Sequence, residues 1–190
     1  MSMRKHLAAA ALIATSGAAL AQDTQQVTQQ NTQFGAKAQF GRPAAPEEIA
    51  SWDITVEPNG AGLPNGSGTA KQGEAVYVAK CQACHGEKGA GGAALQLAGV
   101  KGTAGNKDTT VKTIGTFWPY ATTVFDYVFT SMPYQETKSL THDETYAVTA
   151  YLLYLNGIIG ENDEMNAQTL PKVTMPNQAN FIVVYPPRGK

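Results

Sequence analysis

Cysteine occurs only twice in this chain of 190 residues, at Cys81 and Cys84, and His85 follows directly. Two thiols three residues apart lie within about one turn of a helix. The spacing Cys-x-x-Cys-His is the pattern by which c-type haem is attached to protein. The two thiols can reach the two vinyl groups of one porphyrin, and the next imidazole can reach its iron. The motif therefore predicts one covalent haem c held by Cys81, Cys84 and His85.

Two other chemistries use paired cysteines, and both fit this chain less well. A redox pair that exchanges with substrate disulfides normally follows a strand in a βαβ unit. Here the pair ends a predicted helix over 70–81 instead. A closed zinc site needs two further Cys or His ligands, and beyond the predicted leader the only histidines are His85 and His142.

An iron held by His85 needs a ligand on its other side. Met132 lies between two predicted helices, and Pro133 biases it away from helical geometry. Met175 lies in the tail, where filling a gap in the core is its expected role, and His142 fits a solvated first turn. We therefore predict His85 and Met132 as the iron ligands. Two strong ligands leave no open position for a substrate, which favours electron transfer over catalysis. A five-coordinate catalyst or gas sensor is the alternative.

Composition and local patterns divide the chain into four segments. Residues 1–21 carry positive charge, then an apolar run that ends in small residues, as in a secretory signal peptide. Residues 22–65 are expected to form an N-terminal arm that begins in a mobile Gln-rich stretch and contains a helical turn at 46–52. Residues 66–160 are predicted to form the haem domain, and residues 161–190 an extended tail. This division predicts a periplasmic protein.

Local signals predict an all-α fold. A helix over 70–81 begins with a capping box at Thr69, a second spans 120–130, and a third begins at the capping box of Thr141 and ends at Asn156. No run alternates long enough to require a sheet. Formal net charge is only −1, which gives no reason to expect nucleic-acid binding. No membrane span is expected, because the apolar run near the start is too short.

Together these residues resemble the class I cytochromes c. In that family the first and last helices cross at a glycine–aromatic contact, which would match Gly73 and Tyr77 with Tyr151 or Tyr154. Many members also have a proline whose carbonyl accepts the second N–H of the proximal histidine. Residues 93–99 contain no proline, so another carbonyl near Leu95 is expected in that role.

The resemblance also implies that Trp118 and Tyr120 donate hydrogen bonds to the haem propionates. The alternative is that both are core aromatics whose polar atoms find other partners.

A closer resemblance covers most of the chain after residue 21. It is to the cytochrome subunit family of periplasmic sulfur and sulfite dehydrogenases. The motifs that carry it are Gly41-Arg42-Pro43, Ile49-Ala50-Ser51-Trp52-Asp53-Ile54, Thr116-Phe117-Trp118-Pro119-Tyr120-Ala121, Phe125-Asp126-Tyr127 and Ser131-Met132-Pro133-Tyr134.

This closer resemblance implies a partner. A molybdenum dehydrogenase that oxidises sulfite or a sulfane sulfur would donate the electrons, and another cytochrome or a terminal oxidase would accept them. The fullest members carry a second haem domain, whereas this chain has one Cys-x-x-Cys-His motif. A general electron carrier that serves other dehydrogenases is the alternative.

Overall fold

The computed structural model describes residues 41–104, 111–182 and 184. The predicted signal peptide at 1–21 and the Gln-rich start of the arm lie outside these residues. The chain divides into two compact units, residues 1–48 and 49–190. In the first unit, Arg42 forms an exposed ion pair with Glu48 at 2.5 Å. Helix α1, Pro46–Trp52, begins at the predicted proline, and none of its residues is buried.

The second unit carries the predicted helices within about one residue of their expected bounds. Thr69 and Thr141 both form the predicted capping boxes, because each side-chain oxygen accepts the backbone N–H three residues later. The regular elements are β1 (Ser67–Thr69), α2 (Ala70–Lys80), α3 (Gln82–His85), α4 (Ile114–Phe117), α5 (Ala121–Ser131), α6 (His142–Leu155) and β2 (Glu164–Asn166). Single 3-10 turns occur at Glu87–Gly89, Leu170–Lys172 and Gln178–Asn180.

The predicted all-α fold is confirmed, and one small sheet accompanies its helices. Strands β1 and β2 pair antiparallel, with Gly68 opposite Met165. Each strand has three residues, too few to produce an alternating pattern in the sequence. A Cβ atom on Gly68 would lie only 2.5 Å from the backbone nitrogen of Ala147. The strand pair thus joins the tail to the start of α2 and packs directly on α6.

Helices α2 and α6 cross at Gly73, as the resemblance to class I cytochromes c implies. A Cβ atom on Gly73 would overlap the carbonyl group of Ala147 and come within 2.9 Å of the Cβ of Tyr151. One turn further along α2, the rings of Tyr77 and Tyr151 have centroids 5.4 Å apart. Tyr151 is therefore the aromatic partner, whereas Tyr154 is exposed.

We expect Gly73→Ala to destabilise the protein by ~1–3 kcal/mol, because the added methyl group forces the two helices apart. This loss is expected even though helix propensity favours alanine over glycine by about 1 kcal/mol. Ala75, an exposed residue of the same helix, provides the control. Ala75→Gly should lower stability by that propensity difference alone. Urea unfolding of both variants measures the two effects, and a Gly73→Ala protein as stable as the wild type would disprove the close crossing.

The core lies between α5, α6 and the tail. Phe125 and Tyr146 are fully buried, with ring centroids 4.4 Å apart. Leu170 and Met175 from the tail are 0% and 1% exposed in the same cluster. The tail thus supplies core side chains. Within the described residues, no helix is long and apolar enough to cross a membrane.

Candidate functional site

Cys81, Cys84 and His85 share a single turn at the end of α2. Cys81 caps α2, and its backbone N–H donates to the carbonyl of Tyr77 at 2.8 Å. The Cys81 carbonyl accepts the N–H groups of Cys84 at 3.2 Å and His85 at 3.0 Å. Both cysteines are free thiols; Cys81 is half-buried against the core, whereas Cys84 is exposed. The fold therefore presents two thiols and an imidazole along one short helical segment.

The environment of Cys81 disfavours a thiol-exchange role. Burial, followed by the charge of Cys84, raises the pKa of the Cys81 thiol to about 11. Exchange with disulfides requires the thiolate, and reactive cysteines of that class have a lowered pKa. At neutral pH Cys81 is protonated and is a poor nucleophile toward disulfides.

The ring of His85 is oriented by a backbone carbonyl. Its Nδ1 lies 2.8 Å from the carbonyl oxygen of Leu95. A carbonyl only accepts, so Nδ1 carries the proton and Nε2 keeps a free lone pair for a metal. The expectation of a carbonyl near Leu95 is confirmed.

The glycine-rich loop after His85 builds the turn that returns to Leu95. Gly91 N–H donates to the His85 carbonyl, and Ala94 N–H donates to the Cys84 carbonyl, both at 2.8 Å. Gly86 has φ +76°, and a Cβ atom there would overlap the Gly91 carbonyl. The loop therefore supports the Cys-His turn.

Met132 caps the end of α5 in an extended conformation, half-buried, and its N–H donates to the Val128 carbonyl at 3.1 Å. Pro133 then begins a turn closed by the Glu136 N–H at 2.9 Å. The Glu136 carboxylate lies 3.3 Å from Lys80 Nζ. An exposed pair like this adds little stability, but it shows that the loop after Met132 reaches the residue before Cys81.

The other two candidate ligands have different surroundings. Met175 is 1% exposed within the apolar core, which agrees with a gap-filling role. His142 is exposed in the first turn of α6, with Nδ1 3.2 Å from the Asn65 carbonyl and its ring edge-on to Phe129.

Trp118 and Tyr120 lie in separate environments. Trp118 packs against the core, with its ring centroid 5.7 Å from that of Tyr127. Tyr120 lines a cavity of about 380 Å³ together with Pro58 and with several residues of the tail, among them Leu170. The residues that line this cavity do not include the cysteines, His85 or Met132.

Comparison with known proteins identifies the family. The family model described as cytochrome c oxidase, cbb3-type, subunit III matches residues 68–152. No curated protein matches the chain significantly. Among solved structures, the chain is similar to one in the crystal structure of the sulfane dehydrogenase SoxCD from Paracoccus pantotrophus. The two are 42% identical, the match covers 77% of this chain and 72% of that chain, and the TM-score is 0.70. The chain belongs to the cytochrome c family. It is therefore an electron-carrying cytochrome.

The residues of this cytochrome fit haem c, the cofactor of its family. Two free thiols lie on one turn, and the Leu95 carbonyl holds His85 with its Nε2 lone pair available. Among the residues with described positions, no three Cys, His, Asp or Glu side chains come together as a metal site.

Tyr77, predicted at the helix crossing, has a second role in this cytochrome that the sequence did not reveal. The buried hydroxyl donates to the carbonyl of Gly86 at 2.8 Å. Burial, and next the charge of Cys81, raises the pKa of Tyr77 to about 12, so the phenol remains a donor at neutral pH. Tyr77 precedes Cys81 by four residues, so the two side chains lie on the same face of the helix. This spacing is the sequence signal that could have predicted the supporting role of Tyr77. Tyr77 thus joins the helix crossing to the turn that carries His85.

Proposed function

We propose that this cytochrome is a periplasmic monohaem electron carrier that accepts single electrons from a molybdenum dehydrogenase acting on sulfite or a sulfane sulfur. It passes them to another cytochrome or to a terminal oxidase. The observation that carries this proposal is the 42% identity, over 77% of the chain, to a chain of a sulfane dehydrogenase.

Each residue of the motif has a separate role in the proposal. Haem c, when bound, supplies the one-electron couple between ferric and ferrous iron. The thiols of Cys81 and Cys84 would hold the haem through carbon–sulfur bonds to its two vinyl groups. His85 would bind the iron through Nε2, with its ring fixed by the Leu95 carbonyl 2.8 Å away. Met132 would be the second protein ligand of the iron.

The loop geometry is consistent with Met132 in this role. The Lys80–Glu136 ion pair places the turn after Met132 beside the end of α2, where Cys81 begins the haem-binding segment. A histidine and a methionine would together hold the iron of a bound haem c and raise its reduction potential. This arrangement suits electron transfer without ligand exchange.

Rapid mixing tests the proposed partner. Ferric cytochrome is mixed with a periplasmic molybdenum sulfite dehydrogenase and sulfite, and ferrous haem is followed by absorbance. We expect reduction that saturates with cytochrome concentration and slows as salt is added, because charged surfaces steer a physiological encounter. Mixtures without enzyme or without sulfite give the background rates.

Reduction by ascorbate is the control for a working haem. Fast reduction by ascorbate with no reduction by active enzyme and sulfite would reject the sulfur assignment and favour a general carrier. Failure with both reductants would instead reject the proposal that the haem of this protein carries electrons at a raised potential.

A further inference from the structure

Asn156 connects three segments of the haem domain through its side chain. Its Nδ2 donates to the Leu97 carbonyl at 3.1 Å and to the Leu152 carbonyl at 2.8 Å. Its Oδ1 accepts the N–H of Gly115 at 3.1 Å and the hydroxyl of Thr113 at 3.4 Å. The amide therefore uses both donors and both acceptor positions. Because Nδ2 faces two carbonyls and Oδ1 faces an N–H and a hydroxyl, the orientation of the amide is fixed.

The end of helix α6 does not require this side chain. Gly157 has φ +70°, and its N–H donates to the Tyr154 carbonyl at 2.8 Å. Ile158 N–H donates to the Leu153 carbonyl at 3.0 Å. These backbone bonds close the last turn of the helix. The four bonds of the Asn156 side chain therefore have a purpose beyond ending the helix.

The bond to Leu97 leads directly to His85. The Leu97 carbonyl also accepts the N–H of Ile114 at 3.0 Å, and the Leu97 N–H donates to the Gly89 carbonyl at 2.8 Å, so with Asn156 this part of the loop is held from three sides. Leu95, two residues earlier, provides the carbonyl that orients the His85 ring. The Leu95 side chain is 81% exposed, so its own packing against the protein does not hold it. The position of its carbonyl depends on the backbone bonds of the loop.

We infer that Asn156 is a positioning residue that holds the loop at Leu97 and thereby sets the hydrogen bond between His85 Nδ1 and the Leu95 carbonyl. This inference rests on the proposed role of His85 as the iron ligand. A strong bond at Nδ1 makes the imidazole a more basic ligand, and a more basic ligand favours ferric iron. Asn156 therefore lowers the reduction potential of the cytochrome.

The test uses the complete haem-loaded protein and the variant Asn156→Leu, which is neutral and similar in size. Without the bond to Leu97, we expect the Nδ1 proton of His85 to exchange with solvent up to about tenfold faster. NMR of the ferric protein measures this exchange, because the nearby iron shifts the ring signals. The ratio of ferrous to ferric protein at a fixed ambient potential should rise by up to about tenfold, which corresponds to about 59 mV.

Asn177→Leu is the matched control. Asn177 is 2% exposed, and its Nδ2 donates to the Phe117 carbonyl at 2.8 Å, so the same change removes a buried amide that bonds the end of α4 and not Leu97. We expect this variant to lose stability but to keep the wild-type exchange rate at His85. An Asn156→Leu protein with the wild-type exchange rate and potential would overturn the inference.

Gly115→Ala gives a second route if Asn156→Leu does not fold. A Cβ atom on Gly115 would lie 2.8 Å from the Oδ1 of Asn156, so the methyl group must displace the amide. We expect faster exchange at His85, in the same direction as for Asn156→Leu, and an unchanged rate would overturn the inference. A wild-type ferric protein with no histidine bound to iron would overturn the proposed function and this inference together. A silent Asn156→Leu in a protein with His85 bound to iron overturns only the inference.

Discussion

A variant with both Cys81→Ala and Cys84→Ala is expected to lose all of its haem when it is denatured. The wild-type protein should keep its haem under the same conditions, because each thiol forms a carbon–sulfur bond that denaturation does not break. A haem stain after a denaturing gel measures the difference. Each single variant should retain haem through one bond, with a pyridine haemochrome spectrum shifted toward that of haem with one free vinyl group.

Ala83→Ser is the control for the double-cysteine variant. Ala83 is exposed in the same turn, so a hydroxyl group there changes polarity without removing a thiol. The expected result is full retention of haem. The wild-type chain is expressed with haem-attachment machinery. If it still loses its haem on denaturation, the predicted attachment is wrong, and the redox cysteine pair becomes the favoured interpretation of the motif.

The second large effect is expected for Met132→Ala. Loss of the thioether would remove the proposed ligand that raises the potential, and the iron would be left five-coordinate or would bind water or another weak ligand. The ferric spectrum should lose its methionine–iron band. The potential should fall by at least about a tenth of the roughly 0.8 V range that axial ligands span. Absorption spectroscopy and a redox titration measure the two changes.

Met175→Ala and His142→Ala are the matched controls for the ligand assignment. Met175 is 1% exposed, so truncation should cost about 2–5 kcal/mol of stability through a cavity, with the ligand spectrum unchanged. His142→Ala removes an exposed ring and should change neither the spectrum nor the potential. If Met132→Ala leaves the spectrum intact and one control alters it, that control residue is the ligand.

Much of the helical framework could be predicted because its signals are local. The capping boxes at Thr69 and Thr141 join residues three positions apart, and the structure contains both of them. The turn of Cys81, Cys84 and His85 is likewise closed by backbone bonds over three and four residues. Such bonds join residues that are three or four positions apart, so local sequence signals are enough to predict them.

The support of His85 shows where this kind of prediction ends. The resemblance to class I cytochromes c, together with the absence of a proline from residues 93–99, pointed to a carbonyl near Leu95, and the structure contains that bond. Side-chain patterns carry no information about which backbone carbonyl a loop will aim at a ring. The choice of Leu95 follows from the path of the loop, which is held by hydrogen bonds to Cys84 and His85 and, at Leu97, by the amide of Asn156.

The sequence by itself determined the Cys-x-x-Cys-His spacing that predicts haem attachment, the positions of the main helices and the family of this cytochrome. Only the tertiary structure decided the pairing of Gly68 with Met165 and the bonds of Asn156, which reach Leu97 across 59 positions of the chain. Contacts of this length form only when packing brings distant segments together. An asparagine after a helix predicts a stop, and only the folded chain shows which loop its amide holds.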